Sequence, residues 1–143
     1  MKLLEKKNVR ILNTANDWRE AIRLSVEPLE EQGYVEARYK EEIIANIESL
    51  GPYIVIAPYV ALPHARPEQG VIKSQISITL FKEAVQFDHK EAPVKLFIVL
   101  AAADQDGHLD ALVKISEVLQ SSNSIETIIS AEDTETLYQY FAA

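Results

Sequence analysis

A chain of 143 residues, 48% hydrophobic and 25% charged, is one domain's worth of ordinary globular sequence, long enough to bury about two thirds of its unfolded surface. Its formal charge of −8 opposes nucleic acid as a partner and favours a basic or neutral protein, and the lack of cysteine excludes disulfides, thiolate metal sites and a cysteine nucleophile. The basic start, Met1 to Asn8, leads into no apolar core of signal length, and the longest apolar run, Leu96 to Ala103, is far too short to span a bilayer, so a cytoplasmic location is expected.

In chain order, Val9 to Leu12 reads as a short β run. Asp17 with Glu20 forms a capping box, and Trp18, Ala21, Ile22, Ser25 and Leu29 recur at helical spacing, which predicts a helix from Asp17 to about Gln32, ended by Gly33. Pro28 lies in its last turns. A second helix is expected from near Tyr34, with Ile43, Ile44, Ile47 and Leu50 on one face, until Gly51-Pro52 stops it. Tyr53 to Ala57, apolar throughout, predicts a strand buried on both faces, and Pro58 separates it from the Val60-Ala61-Leu62 segment. Gln75 to Lys82 alternates, with Ile76, Ile78 and Leu80 opposite Ser77, Thr79 and Phe81, as a half-covered strand does.

Ala84 to Phe87 is a brief extended piece, followed by a polar loop from Asp88 to Pro93. Val94 to Ala101, the most apolar stretch, is the expected central strand. After the turn Asp104-Gln105-Asp106-Gly107, a third helix from His108 is expected to turn Leu109, Leu112, Val113 and Leu119 inward. Ile125 to Ile129 reads as a short helix or strand, and Ser130 with Asp133 resembles a cap for a last helix ending at Phe141. These elements make an α/β or α+β sandwich, a sheet of four or five strands with helices on both faces, in a single domain over residues 1–143.

Chemistry gathers at Tyr59 to Val71, where Pro63 and Pro67 bracket His64. Pro63 has its φ fixed and no N–H to give a ladder, and Pro67 pushes Arg66 out of helical space, so the imidazole is held at the mouth of a strand. Two readings stay open on the residues alone: a nucleophile presented reproducibly to a bulky partner, or a strand end whose proline turn carries a histidine. His108 follows the apolar strand by one turn, at the end where open α/β sheets collect their sites, and the N–H groups of its helix turn favour an anion nearby. Without a partner it is merely a first-turn residue. His89 reads as an exposed bystander in a charged loop.

A zinc site from His64, His108 and Asp104 or Asp106, as in a metal-dependent hydrolase, is a remote alternative because neither histidine belongs to a ligand-spaced pair. Cofactors and metals are therefore not expected. No serine occupies a nucleophile elbow, and four glycines, with no Gly-x-Gly-x-x-Gly or Walker sequence, leave little for a nucleotide loop.

Gly51 to Pro58, then Ala61-Leu62-Pro63-His64-Ala65-Arg66-Pro67-Glu68 and Gly70-Val71, resemble the EIIA component of the bacterial sugar phosphotransferase system (PTS), in the mannitol/fructose class and most closely its ascorbate-type branch. Asp17-Trp18 with Ala21-Ile22-Arg23 resembles that branch's first helix, and Ala101 to Asp104 with His108-Leu109 and Leu112 resembles its second histidine segment. The likeness covers nearly the whole chain, in order.

The resemblance implies a mixed sheet between helices. It implies that His64 takes a phosphoryl group from the carrier protein HPr and passes it to a cysteine of EIIB, with the membrane component EIIC, where sugar specificity resides, reached only indirectly. It assigns His108 an assisting role. The arginine that precedes the active histidine in mannitol-type members has no clear counterpart at Ala37-Arg38-Tyr39-Lys40, which makes Arg66 the candidate substitute. The ending Glu91-Ala92-Pro93-Val94 departs from the family's Asn-Asp-Pro-Val, so no acidic role carries over to that loop. A regulatory module of the same fold, which senses phosphorylation and binds a partner, is the alternative. The ascorbate-like string and the lack of a fused regulatory domain favour transport.

Overall fold

The computed structural model describes residues 3–87, 93–121 and 124–142. Among these residues five strands form one mixed sheet, β1 (Leu4–Leu12), β2 (Val55–Ala57), β3 (Tyr59–Ala61), β4 (Gln75–Val85) and β5 (Val94–Ala101), in the order β1-β4-β5-β3-β2. β5 is central, as its apolar run predicts, antiparallel to β4 and parallel to β3. β1 runs parallel to β4, and β2 closes the other edge antiparallel to β3.

Among the described residues five helices cover the sheet: α1 (Trp18–Glu31), α2 (Arg38–Leu50), α3 (Gln105–Gln120), α4 (Ser124–Ile129) and α5 (Thr134–Ala142). Along β5 the side chains alternate. Phe97, Val99 and Ala101 join α1 and α2 in one apolar layer, while Leu96, Ile98 and Leu100 join α3, α4 and α5 in the other. Helices on both faces are thus as expected from the sequence.

Several expectations are corrected. From Gln75 to Phe81 β4 is buried on both faces rather than half-covered, because α1 lies over its polar side, where the Ser77 hydroxyl donates to the Ser25 carbonyl at 2.8 Å. Tyr53 to Ala57 is not a doubly buried strand. Only Val55 to Ala57 pairs, at the sheet edge, with Ile56 47% exposed. The second helix begins at Arg38 because Tyr34 to Glu36 is engaged elsewhere: the Tyr34 carbonyl accepts from Ile72 and Lys73, and Glu36 N–H donates to Gly70. On α3 Ala111 and Ile115 are buried, and Leu112 and Leu119 pack partly buried against the same cluster as expected, whereas Leu109 and Val113 are more than half exposed. α3 also opens earlier, at Gln105, with Asp104 as its cap.

Local chemistry explains the helix ends. Asp17 accepts from Glu20 N–H at 2.9 Å, and the Glu20 carboxylate reaches back to Asn16 N–H at 2.8 Å. Asp133 accepts from Thr136 N–H at 2.7 Å, whereas Ser130 donates instead to the Glu126 carbonyl. Pro28 is tolerated inside α1. It removes the N–H that would bond the Leu24 carbonyl, and the Arg10 guanidinium from β1 supplies a donor there.

Candidate functional site

Because β3 and β5 are parallel neighbours, their C-terminal ends leave the sheet at the same edge. β3 runs into Leu62-Pro63-His64, and β5 runs through Ala102 and Ala103 to Asp104 and α3. Leu100 N–H donates to the Pro63 carbonyl at 3.1 Å, which extends the pairing past the end of β3 and ties the two exits together. His64 and His108, both half-buried, come to a ring separation of 6.3 Å at 60°. They share a cleft of about 470 Å³ with Asn46, Leu50, Tyr53 and Leu100.

The His64 ring is fixed by its own strand. Its Nδ1 lies 2.7 Å from the Leu62 carbonyl oxygen, which can only accept, so Nδ1 carries the proton and Nε2 carries the lone pair. The Tyr53 ring stands edge-on to the imidazole at 5.2 Å, and its hydroxyl donates to the His64 carbonyl at 2.6 Å. Burial raises the Tyr53 hydroxyl above the ordinary tyrosine range, with a hydrogen bond from Asn46 pulling the other way.

The loop beyond His64 is held peptide by peptide. Ala65 N–H donates to the Tyr39 hydroxyl at 3.1 Å, and that hydroxyl donates to the Leu100 carbonyl at 3.0 Å. Arg66 N–H donates to Gln69 Oε1 at 2.9 Å, and Asn46 donates to the same oxygen at 3.1 Å. Gln69, 7% exposed, in turn donates to Glu42 at 2.9 Å. Pro67 to Gln69 forms one turn of 3-10 helix, closed by Gly70 at φ +130°.

His108 lies in the first turn of α3, where Asp104 accepts from Gly107 N–H at 2.7 Å. That carboxylate therefore already serves the helix N-terminus, and it lessens the anion attraction expected of the bare turn. Arg66 lines the cleft, but its guanidinium is paired with Glu68 at 3.1 Å and is largely exposed. Among the described residues no three His, Asp or Glu side chains converge as a metal ion would require. His89 lies outside the described residues, as does the polar loop from Asp88 to Ala92.

Sequence reasoning missed Tyr39, Tyr53, Asn46 and Gln69. Tyr39 left a signal, since it sits four residues before Ile43 in the apolar stripe of α2, and a fully buried phenol must find partners. Gln69 left less, because a glutamine between prolines and glycine reads as a surface turn.

Residues 2–143 match the family described as "Phosphoenolpyruvate-dependent sugar phosphotransferase system, EIIA 2". The chain is 37% identical over 130 residues to the mannitol-specific cryptic phosphotransferase enzyme IIA component of Escherichia coli K12, covering 91% of this chain and 88% of that one. It is 40% identical over 107 residues to the ascorbate-specific PTS system EIIA component of Salmonella choleraesuis, covering 74% and 70%. The solution structure of the E. coli mannitol-specific cryptic enzyme IIA superposes with a TM-score of 0.92 at 34% identity, over 99% of this chain and 96% of that one.

Proposed function

We infer, because this chain belongs to the EIIA 2 family of the phosphoenolpyruvate-dependent sugar phosphotransferase system, that it carries a phosphoryl group on His64 from HPr to EIIB in the mannitol/ascorbate group of these systems. Residues 1–143 work as one EIIA module in the cytoplasm, and EIIC is reached only through EIIB. The observation that carries the assignment to His64 is its Nδ1 contact with the Leu62 carbonyl.

That contact leaves Nε2 as the nucleophile. Its lone pair attacks the phosphorus of the donor phosphohistidine, a new P–N bond forms, and the electron pair of the old P–N bond returns to the donor ring. The His64 Nδ1 proton stays in place throughout, and the Leu62 carbonyl stabilises the positive charge that the phosphorylated ring acquires. When the EIIB cysteine thiolate attacks, the P–N electrons return to Nε2 and the starting tautomer is restored. No proton need leave His64 in either step, so the site works with a rigid ring and an open approach. His108, across the cleft, donates to a phosphoryl oxygen as charge is redistributed.

The test is phosphoryl uptake from phosphorylated HPr, followed by a chase with EIIB. Wild type is expected to take up acid-labile, base-stable phosphate and to surrender it to EIIB, and His64→Ala to take up none. Phosphate retained on His64→Ala would overturn the assignment, and a phosphorylated chain that EIIB cannot discharge would point to the regulatory alternative.

A further inference from the structure

His64 lies in the loop after β3 and His108, 44 positions on, in the first turn of α3, so something must hold their separation while partners of different shape press on the cleft. Among the described residues two links join the exits of β3 and β5. One is the main-chain bond from Leu100 to Pro63. The other is a side chain from a third element, Tyr39 of α2.

Tyr39 is fully buried, and its hydroxyl uses both of its capacities at the site. It accepts from Ala65 N–H, the peptide immediately after His64, and donates to the carbonyl of Leu100 at 3.0 Å, a residue of β5 that lines the cleft opposite, with the Ala65 carbonyl a longer second acceptor at 3.4 Å. Its own base is confined as well. Tyr39 N–H donates to the Glu36 carbonyl, and the backbone of Gly70 packs so close that a Cβ there would stand 3.3 Å from Tyr39 Cβ.

We propose that Tyr39 is a positioning residue for phosphoryl transfer, its one hydroxyl setting the separation of His64 and His108 by bridging Ala65 to Leu100. The proposal rests on the reading of His64 as phosphoryl acceptor. Burial pushes the Tyr39 hydroxyl up to about 12, so it stays a donor across the working pH range. Transfer through an in-line geometry is sensitive to displacements of about 1 Å, so losing the bridge should act on the chemical step rather than on encounter with the partner.

The test uses the intact protein with Tyr39→Phe, phosphorylated HPr as donor, and nitrogen-15 NMR of the histidine rings. Tyr39→Phe is expected to lower kcat for phosphoryl uptake about 10- to 100-fold with KM for the donor within about twofold, and to move the ring signals of both His64 and His108. Wild-type kcat with unmoved ring signals would overturn the proposal, as would a loss of thermal stability that leaves kcat and the signals of the folded fraction unchanged. The NMR arm answers for the bridge even in a protein that takes no phosphate, so failure of the acceptor reading and failure of the bridge are told apart.

Should Tyr39→Phe not fold, 4-aminophenylalanine at position 39 carries the test. It fills the same volume and keeps N–H donation to Leu100 but is a poor acceptor for Ala65. The His64 signals are then expected to move more than those of His108; signals unmoved in both rings would overturn the bridge.

Discussion

The rings of His64 and His108 face a common cleft at 6.3 Å, inclined by 60°, although each is delivered by a different strand. The parallel pairing of β3 with β5 places both strand exits on one edge of the sheet, so the two imidazoles need only short loops to meet. Their environments differ: Nδ1 of His64 is committed to a carbonyl, while the main chain of His108 belongs to a helix turn.

His108 is expected to assist transfer rather than to accept phosphate. His108→Ala should fold, bind HPr and accept phosphate on His64, but pass it to EIIB roughly a hundredfold more slowly, the usual cost of losing one donor to developing charge. His108→Gln, which keeps an N–H, should lose less. Stopped-flow measurement of transfer in each direction decides the matter, and rates equal to wild type for both variants would leave His108 as part of a helix turn only.

If His64 is the acceptor, as proposed, the carbonyl of Leu62 directs the phosphate to its Nε2. Phosphorylated protein labelled with nitrogen-15 on histidine should show phosphorus coupling at Nε2 and a protonated Nδ1. Coupling at Nδ1 would mean that the ring turns over before reacting, against the 2.7 Å contact.

Gly70 tests how tightly Tyr39 is backed. At φ +130° a Cβ is strained, and it would stand 3.3 Å from Tyr39 Cβ. Gly70→Ala should therefore cost about 1–3 kcal/mol in chemical denaturation and slow phosphoryl uptake. Gly33→Ala is the control, because its φ is +81° but nothing lies within 4 Å. It should lose stability without slowing uptake, and equal effects on uptake from both variants would remove Tyr39 from the explanation.

Tyr39 also predicts the alkaline limit. Burial, opposed by the bond from Ala65, holds its hydroxyl at about 12, above the ordinary value of 10.0. The unfolded chain loses this proton first, so the contribution is fully present below about pH 10 and is lost as pH rises towards 12. The loss amounts to about 2–3 kcal/mol for a shift of this size. Urea midpoints between pH 9 and 12, wild type against Tyr39→Phe, should show the extra decline in wild type only. Parallel declines would assign it to other groups, Tyr53 among them, whose hydroxyl is raised in the same direction.

Local rules were legible in the sequence wherever one segment carried its own instruction. Asp17 and Asp133 cap helices because a short acceptor stands three residues before a free N–H. Val94 to Ala101 is central because its apolar side chains serve both layers, Phe97, Val99 and Ala101 on one face and Leu96, Ile98 and Leu100 on the other. Pro63 and Pro67 mark His64 because they stiffen the chain whatever surrounds it. What the tertiary structure alone decided depends on partners far along the chain. Ser77 and Thr79 read as a solvent face until α1 lies over them, and Leu109 and Val113 read as core until the sheet takes Ala111 and Ile115 instead. Tyr39 went unmarked in the sequence, because the carbonyl that its hydroxyl reaches, on Leu100, lies 61 residues away and no local periodicity encodes that bond.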